Sequence, residues 1–140
     1  MSRFAKNKIF ILFISVPLFF SAAICSPRFV EISDVMSEQL NKNELAAYAL
    51  AFGLFSDRIR NDYIGEDIQK YGENSYSVYA ANKNNYTVAV ERSNKWPDKF
   101  WVEFRLKPSE RFGFIMGSGG VLRYLVDINK NSAELKTKYK

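Results

Sequence analysis

The spacing of large apolar residues changes once along the chain, and that change limits the fold to a helix laid on a sheet. From residue 43 to residue 63, Leu45, Tyr48, Phe52, Phe55, Ile59 and Tyr63 recur every three or four positions. That spacing stacks them on one face of a 3.6-residue helix. No charge interrupts residues 45–56, and Ala46, Ala47, Leu50, Gly53 and Leu54 lie behind the large stripe. A helix apolar round so much of its circumference is either buried on more than one side or keeps a face for a partner. The run is too short to span a bilayer, which takes about 20 residues. Gly53 costs about 1 kcal/mol against alanine in a helix interior, which points to close packing there.

From residue 75 onward the period is two. Tyr76, Val78 and Ala80 alternate with Ser75, Ser77 and Tyr79, and Tyr86, Val88 and Val90 alternate with Thr87, Ala89 and Glu91. With the Asn-rich turn at 82–85 between them, these two runs read as a hairpin. Residues 99–106 form the clearest strand, with Phe100, Val102, Phe104 and Leu106 on one face and Trp101, Glu103 and Arg105 on the other. A connection at 107–120 leads to a strand at 121–128, a turn at 129–132 and a return strand at 133–139. On that last strand Lys136 and Lys138 alternate with Leu135, Thr137 and Tyr139, as a solvent face does. Upstream, residues 27–31 read as extended, Ser33 as the cap of a short helix at 34–40, and Asn43 or a neighbour as the cap of the main helix. Residues 66–71 add a further helical turn ended by Gly72. Turns this short join antiparallel neighbours. The expected fold is therefore α+β: an N-terminal leader, then one main helix packed on a four- to five-stranded antiparallel curved sheet.

Residues 1–25 stand apart from that fold. Arg3, Lys6 and Lys8 precede an apolar run at 9–20, broken only by Ser15 and Pro17, and then Ser-Ala-Ala-Ile-Cys. This is the pattern of a secretory signal peptide, with cleavage after Ala23, or after Cys25 as second choice. Ile24, directly before Cys25, disfavours a lipoprotein signal. The competing reading keeps the segment as a membrane tether. The division is then a leader at 1–25 and one domain at 26–140, destined for the periplasm or for secretion. The leader supplies three of the five net positive charges. The remainder carries only +2, so the basic isoelectric point gives little support to nucleic-acid binding. The single cysteine excludes an intramolecular disulfide. With no histidine as well, the usual zinc sites and the Ser-His and Cys-His nucleophile pairs are excluded. No cofactor, metal or catalytic residue is expected.

The remaining candidates are weighed one by one. Asp57, Asp62, Glu66 and Asp67 interleave with Arg58 and Arg60, which reads as a solvated helix end rather than an acid–base pair. Glu103 and Arg105 share a face and are placed to pair with Arg123 and Asp127. Gly117-Ser118-Gly119-Gly120 precedes a strand and lacks a following Lys-Ser/Thr, so it is not a phosphate loop. Residues 110–116, Glu-Arg-Phe-Gly-Phe-Ile-Met, spend four bulky apolar residues on a connection. They form either a further strand or a partner-contact tip, since aromatics, methionine and arginine are enriched at interfaces. The residues assigned to partner binding are Trp96, Trp101, Arg111, Phe112, Phe114 and Met116. A second reading keeps a ligand pocket between helix and sheet, lined by Tyr48, Tyr63, Tyr76 and Tyr124. Asn85-Tyr86-Thr87 is a glycosylation sequon, relevant only in a eukaryotic secretory pathway.

One resemblance follows from these features. An Ala-rich helix, then Trp101-Val102-Glu103-Phe104, then Gly119-Gly120 leading into Tyr124-x-Val126-Asp127, a turn and a last strand ending in lysine resembles small bacterial immunity proteins of the nuclear-transport-factor-two-like, or cystatin-like, fold. In the family pattern the final hairpin turns through Thr-Gly and continues with Val. Here Lys130-Asn131 stands in the turn and Ala133 in the valine place. Asparagine tolerates a left-handed backbone, so the turn survives the exchange. The resemblance implies the helix-on-sheet fold and an antitoxin role in which another protein, a toxin or a hydrolase, is occluded. Membrane contact is expected only through an uncleaved leader.

Overall fold

The computed structural model describes residues 27–36, 40–63, 72, 75–112 and 120–139. The leader expected at residues 1–25 and the helical turn expected at 66–71 lie outside them. Within them one long helix, α1 (Lys42–Tyr63), packs on one face of a five-stranded antiparallel sheet. The sheet order is β1 (Val30–Glu31), β2 (Tyr86–Arg92), β3 (Lys99–Leu106), β4 (Val121–Asp127) and β5 (Ser132–Tyr139). Every neighbour in space is antiparallel.

Asn41 starts α1. Its side-chain oxygen accepts from the backbone N–H groups of Asn43 and Glu44, both at 3.0 Å, and the Glu44 carboxylate accepts from the Asn41 N–H at 2.9 Å. This reciprocal capping box satisfies donors that the first helical turn leaves free.

The face that α1 buries differs from the one its spacing suggests. Ala47, Ala51, Phe55 and Ile59, four apart, form the deepest line, while Leu45, Tyr48 and Phe52 flank it half-buried. Small residues at the first two places let the helix backbone approach the sheet. Phe55 then stacks on Phe104, with ring centroids 4.0 Å apart and planes 8° apart, and meets Tyr86 edge-on at 4.9 Å. Tyr124 closes on Phe104 edge-on at 6.0 Å. These rings fill the space between helix and sheet.

Close packing at Gly53 is not found: the glycine is exposed, and nothing lies within 4 Å of where a Cβ would stand. Its neighbours Ala46, Ala49 and Leu54 are exposed as well. With no contact to compensate the backbone entropy, Gly53→Ala is expected to stabilise the protein by about 1 kcal/mol. The midpoint of urea unfolding is the readout. A loss of stability would show that this face of α1 is covered in solution.

Two local expectations are corrected. Residues 76–81 are a helix, α2 (Tyr76–Ala81), not the first arm of a hairpin; the Ser75 hydroxyl caps it by accepting from the Val78 N–H at 3.3 Å. Ser77 and Ala80, three apart, are buried, and Tyr86 donates its hydroxyl hydrogen to the Ala80 carbonyl at 2.8 Å. The place of the lost strand is taken at the other end of the chain by β1, whose Val30 and Glu31 pair with Val88 and Thr87. Before α1, Ser33 lies inside a 3-10 turn (Ile32–Asp34) instead of capping a helix. Three residues per turn place Ile32 and Val35 on one side, and both are buried.

The sheet also departs from simple alternation. Leu135 stands opposite Tyr124 but Thr137 stands opposite Arg123, so Lys136 is the extra residue of a β-bulge. Leu135 therefore shares a sheet face with Tyr124, and Thr137 shares the opposite face with Arg123. At the β4–β5 turn, Asn131 adopts a left-handed backbone, φ 48°. Gly120 approaches Leu106 so closely that a Cβ there would lie 2.8 Å from Leu106 Cβ. The Leu106 N–H donates to the Gly120 carbonyl at 2.6 Å, which ties the start of β4 to the end of β3.

Candidate functional site on the outer sheet face

Register decides which side chains share the face away from α1. Glu103 stands opposite Ala89 on one side and Arg123 on the other, and Trp101 stands opposite Glu91 and Leu125. The next row is Thr87, Arg105 and Val121, and the row at the other end pairs Lys99 with Asp127. Trp101 thus points away from Phe100 and Phe104, as its place in the alternation requires. Extending the β1–β2 register by one residue brings Phe29 opposite Ala89, which is buried although it lies on this outer face.

Two cation–aromatic pairs meet at Glu103. The Arg123 guanidinium lies 4.4 Å over the Trp101 ring, and that of Arg105 lies 4.2 Å over Phe29. Glu103 bridges them: one oxygen accepts from Arg105 at 2.6 Å and the other faces Arg123 Nε at 3.7 Å. Glu91, opposite Trp101 on β2, stands 3.9 Å from Arg123. Arg123 Nε is buried without a hydrogen bond, because its carboxylate neighbours both lie beyond hydrogen-bond reach. Each exposed ion pair here is worth about 0–1 kcal/mol. Their joint effect is to hold a tryptophan and two arginines together on the outer face of the sheet. Of the pairings expected from sequence, Glu103 with Arg123 forms, while Asp127 takes Lys99 at 3.7 Å instead of an arginine.

The residues assigned to partner binding fall in separate places. Trp101 is half-buried at the centre of the outer face. Trp96 is exposed in the β2–β3 connection, with Lys95 4.6 Å and Lys99 5.7 Å over its ring. Arg111 and Phe112 lie in a 3-10 turn (Glu110–Phe112) after β3. There Phe112 is half-buried against Tyr76 and Tyr79, with centroids at 5.9 and 5.5 Å, and Arg111 lies 5.7 Å over the Phe112 ring. Phe114 and Met116 lie outside the described residues. Trp96 and Phe112 flank opposite ends of β3, which at about 3.3 Å per residue separates them by roughly 20 Å. Sequence reasoning missed Phe29 and the bridging position of Glu103. Phe29 has no signal of its own, because its role depends on the pairing of β1 with β2.

Of the tyrosines named for a pocket, Tyr48 and Tyr124 both pack on Phe104, at 6.3 and 6.0 Å, while Tyr76 has a different ring neighbour. Tyr48 stacks on Phe52 at 5.3 Å, Tyr76 packs on Phe112, and Tyr124 lies within the core. The side chain of Tyr63 lies outside the described residues. Burial raises the hydroxyl pKa of Tyr48 and Tyr76, and it pushes Tyr124 up to about 12, with Arg58 lowering and Asp62 raising that value. All three are neutral at physiological pH and poorly suited to proton transfer there. The Tyr124 shift has a consequence for stability. Below pH 10 the hydroxyl is protonated in both folded and unfolded chains, and its contribution is intact. Above pH 10 the unfolded chain releases the proton first, so stability falls until about pH 12. The full loss is about 3 kcal/mol. Urea unfolding at pH 9 and pH 12 checks this, and the difference should be smaller in Tyr124→Phe, with Tyr48 and Tyr76, whose pKa values burial also raises, contributing to the remainder. An equal loss in the variant would assign it to other groups.

Among the described residues no helix is long and apolar enough to cross a membrane, and no cluster of three acidic, Cys or His residues could hold a metal ion. Comparison with protein-family models, with curated proteins and with solved structures finds no match.

Proposed function

We propose that this chain is an exported protein-binding domain, an immunity protein or inhibitor that silences a toxin or hydrolase by covering it, without chemistry of its own. The observation that carries this reading is the outer sheet face, where Trp101 lies under Arg123, and Glu103 ties Arg123 to Arg105. Tryptophan and arginine, held rigid and half-buried, are the residue types that dominate binding energy at protein interfaces. The cations of this face are paired with carboxylates, Lys99 with Asp127, Arg105 with Glu103 and Lys107 with Glu31. That balance suits a protein surface better than a phosphate backbone. The inner face supports the same reading, since Phe55, Phe104, Tyr86 and Tyr124 occupy the space a ligand pocket would need. Export rests on the leader pattern at residues 1–25.

The test is capture of partners by the tagged chain from cell-envelope extract and from culture medium, read by mass spectrometry. One protein recovered in stoichiometric amount, inhibited on binding, and lost when Trp101 is replaced would support the proposal. A blank in both fractions would redirect the search to small ligands.

A further inference from the structure

The hairpin between β2 and β3 carries a feature that the outer face does not use. Its backbone is tightly held: the Ser93 N–H donates to the Lys99 carbonyl at 2.8 Å, the Lys99 N–H donates to the Trp96 carbonyl at 2.9 Å, and the Trp96 N–H donates to the buried Ser93 hydroxyl at 3.3 Å. This frame presents Trp96 at 37% exposure, next to exposed Pro97. The β4–β5 turn reaches the same end of the sheet, since Asp127 pairs with Lys99 and accepts from the Lys130 N–H at 3.1 Å. Arg92, Lys95 and Lys130 are exposed here, Arg92 with its guanidinium 5.9 Å over the Phe100 ring at the inner edge of the sheet, and none has a carboxylate partner among the described residues. The carboxylates nearest to them along the chain are Glu91, Asp98 and Asp127, of which Glu91 faces Arg123 and Asp127 is engaged by Lys99. The tip is thus net positive, while the outer face is balanced.

We propose that this tip docks the domain on an anionic lipid bilayer, with Trp96 at the headgroup level and Arg92, Lys95 and Lys130 against lipid phosphates. Three features favour a membrane over a protein groove or a nucleic acid. The tip is a protruding turn with one exposed indole, whereas single-stranded nucleic acid is bound by a succession of aromatic platforms along a basic groove. Tryptophan partitions to the bilayer interface because its ring is apolar and its N–H remains hydrated. The Lys95 and Lys99 ammonium groups lie 4.6 and 5.7 Å over the ring, and their long stems let them turn to the lipid phosphates when the indole enters. This contact is separate from the leader, through which alone the sequence suggested membrane association.

The chain has two tryptophans, which makes the test specific. In the full chain with Trp101→Phe, emission reports Trp96 alone; in the reciprocal Trp96→Phe chain it reports Trp101. With vesicles containing phosphatidylglycerol, the Trp96 emission should shift to shorter wavelength and be quenched by brominated lipid, and the Trp101 emission should not. Binding driven only by the leader would leave Trp96 unshifted and overturn the proposal. Replacing Arg92, Lys95 or Lys130 with glutamine should weaken vesicle binding about fivefold each, and neutral phosphatidylcholine vesicles should give no shift. An equal shift with neutral vesicles, with single-stranded oligonucleotide or with inorganic phosphate would also overturn it. Circular dichroism of each variant shows that the fold is retained.

Discussion

Phe104→Ala is expected to lower the unfolding free energy by about 3–5 kcal/mol. Phe104 is fully buried on the inner face of the central strand and touches four other rings. Phe55 covers one side at 4.0 Å, Tyr124 meets it edge-on, and Tyr48 and Phe52 stand at 6.3 and 6.4 Å. These neighbours come from α1 and β4, two separate elements that would have to move together to fill the space left by the ring. Such sites collapse poorly, so the transfer loss and the cavity term add. A domain of this size has about 5–15 kcal/mol of stability, and the variant would sit near the edge of folding. Urea unfolding followed by far-ultraviolet circular dichroism measures the difference. Leu54→Ala, on the exposed side of α1, is the control and should change stability by less than about 0.5 kcal/mol. A Phe104 loss below about 1.5 kcal/mol would mean that the stacked rings are not the centre of the core.

The same ring shows what the sequence does reveal. Phe100, Val102 and Phe104 alternate with charged residues and Trp101, and a strand with one dry face allows no other register. The α1 periodicity is equally plain, although its deepest line is not. Spacing alone favours the large residues Tyr48 and Phe52, whereas helix-to-sheet distance selects Ala47 and Ala51, a choice that depends on the partner surface. Residues 75–81 fit two periods at once: Tyr76, Val78 and Ala80 at two, and Tyr76 with Tyr79, or Ser77 with Ala80, at three. Tertiary packing of Ser77 and Ala80 decided between them. β1 is two residues long and gains its identity only from β2, so no local pattern announces it. The bulge at Lys136 inserts one residue, and an alternation count across it assigns the wrong face to Thr137. The outer site was legible as residues sharing a face, Trp101 with Glu103 and Arg105. Arg123 lying over Trp101 was not, because that contact needs the β3–β4 register and the choice of rotamer.

Trp101→Ala is expected to weaken binding to the proposed protein partner by at least about 2 kcal/mol, roughly 30-fold, while leaving the fold intact. The ring lies on the face opposite the core and is half-buried there, so its removal opens no cavity beside Phe55 or Phe104. It does remove the surface on which Arg123 rests and the side chain that stands opposite Leu125 across the β3–β4 pair. Arg123, no longer held flat between Glu91 and Glu103, would have to be ordered again at each binding event, at a cost of about 0.5–1.5 kcal/mol. Arg123→Ala should therefore weaken binding on its own, and the double variant should lose less than the sum of the two single losses, because the residues act as one unit. Arg123→Lys separates charge from shape: a lysine keeps the positive charge but lacks the planar fork that stacks on the indole. Weak binding by Arg123→Lys would assign the role to the stacked guanidinium, and wild-type binding would assign it to charge alone. If Trp101→Ala binds as tightly as the wild type, the outer face is not the interface. The same affinity series, applied next to Trp96 and to Arg111, would then locate the interface at one end of β3 or the other.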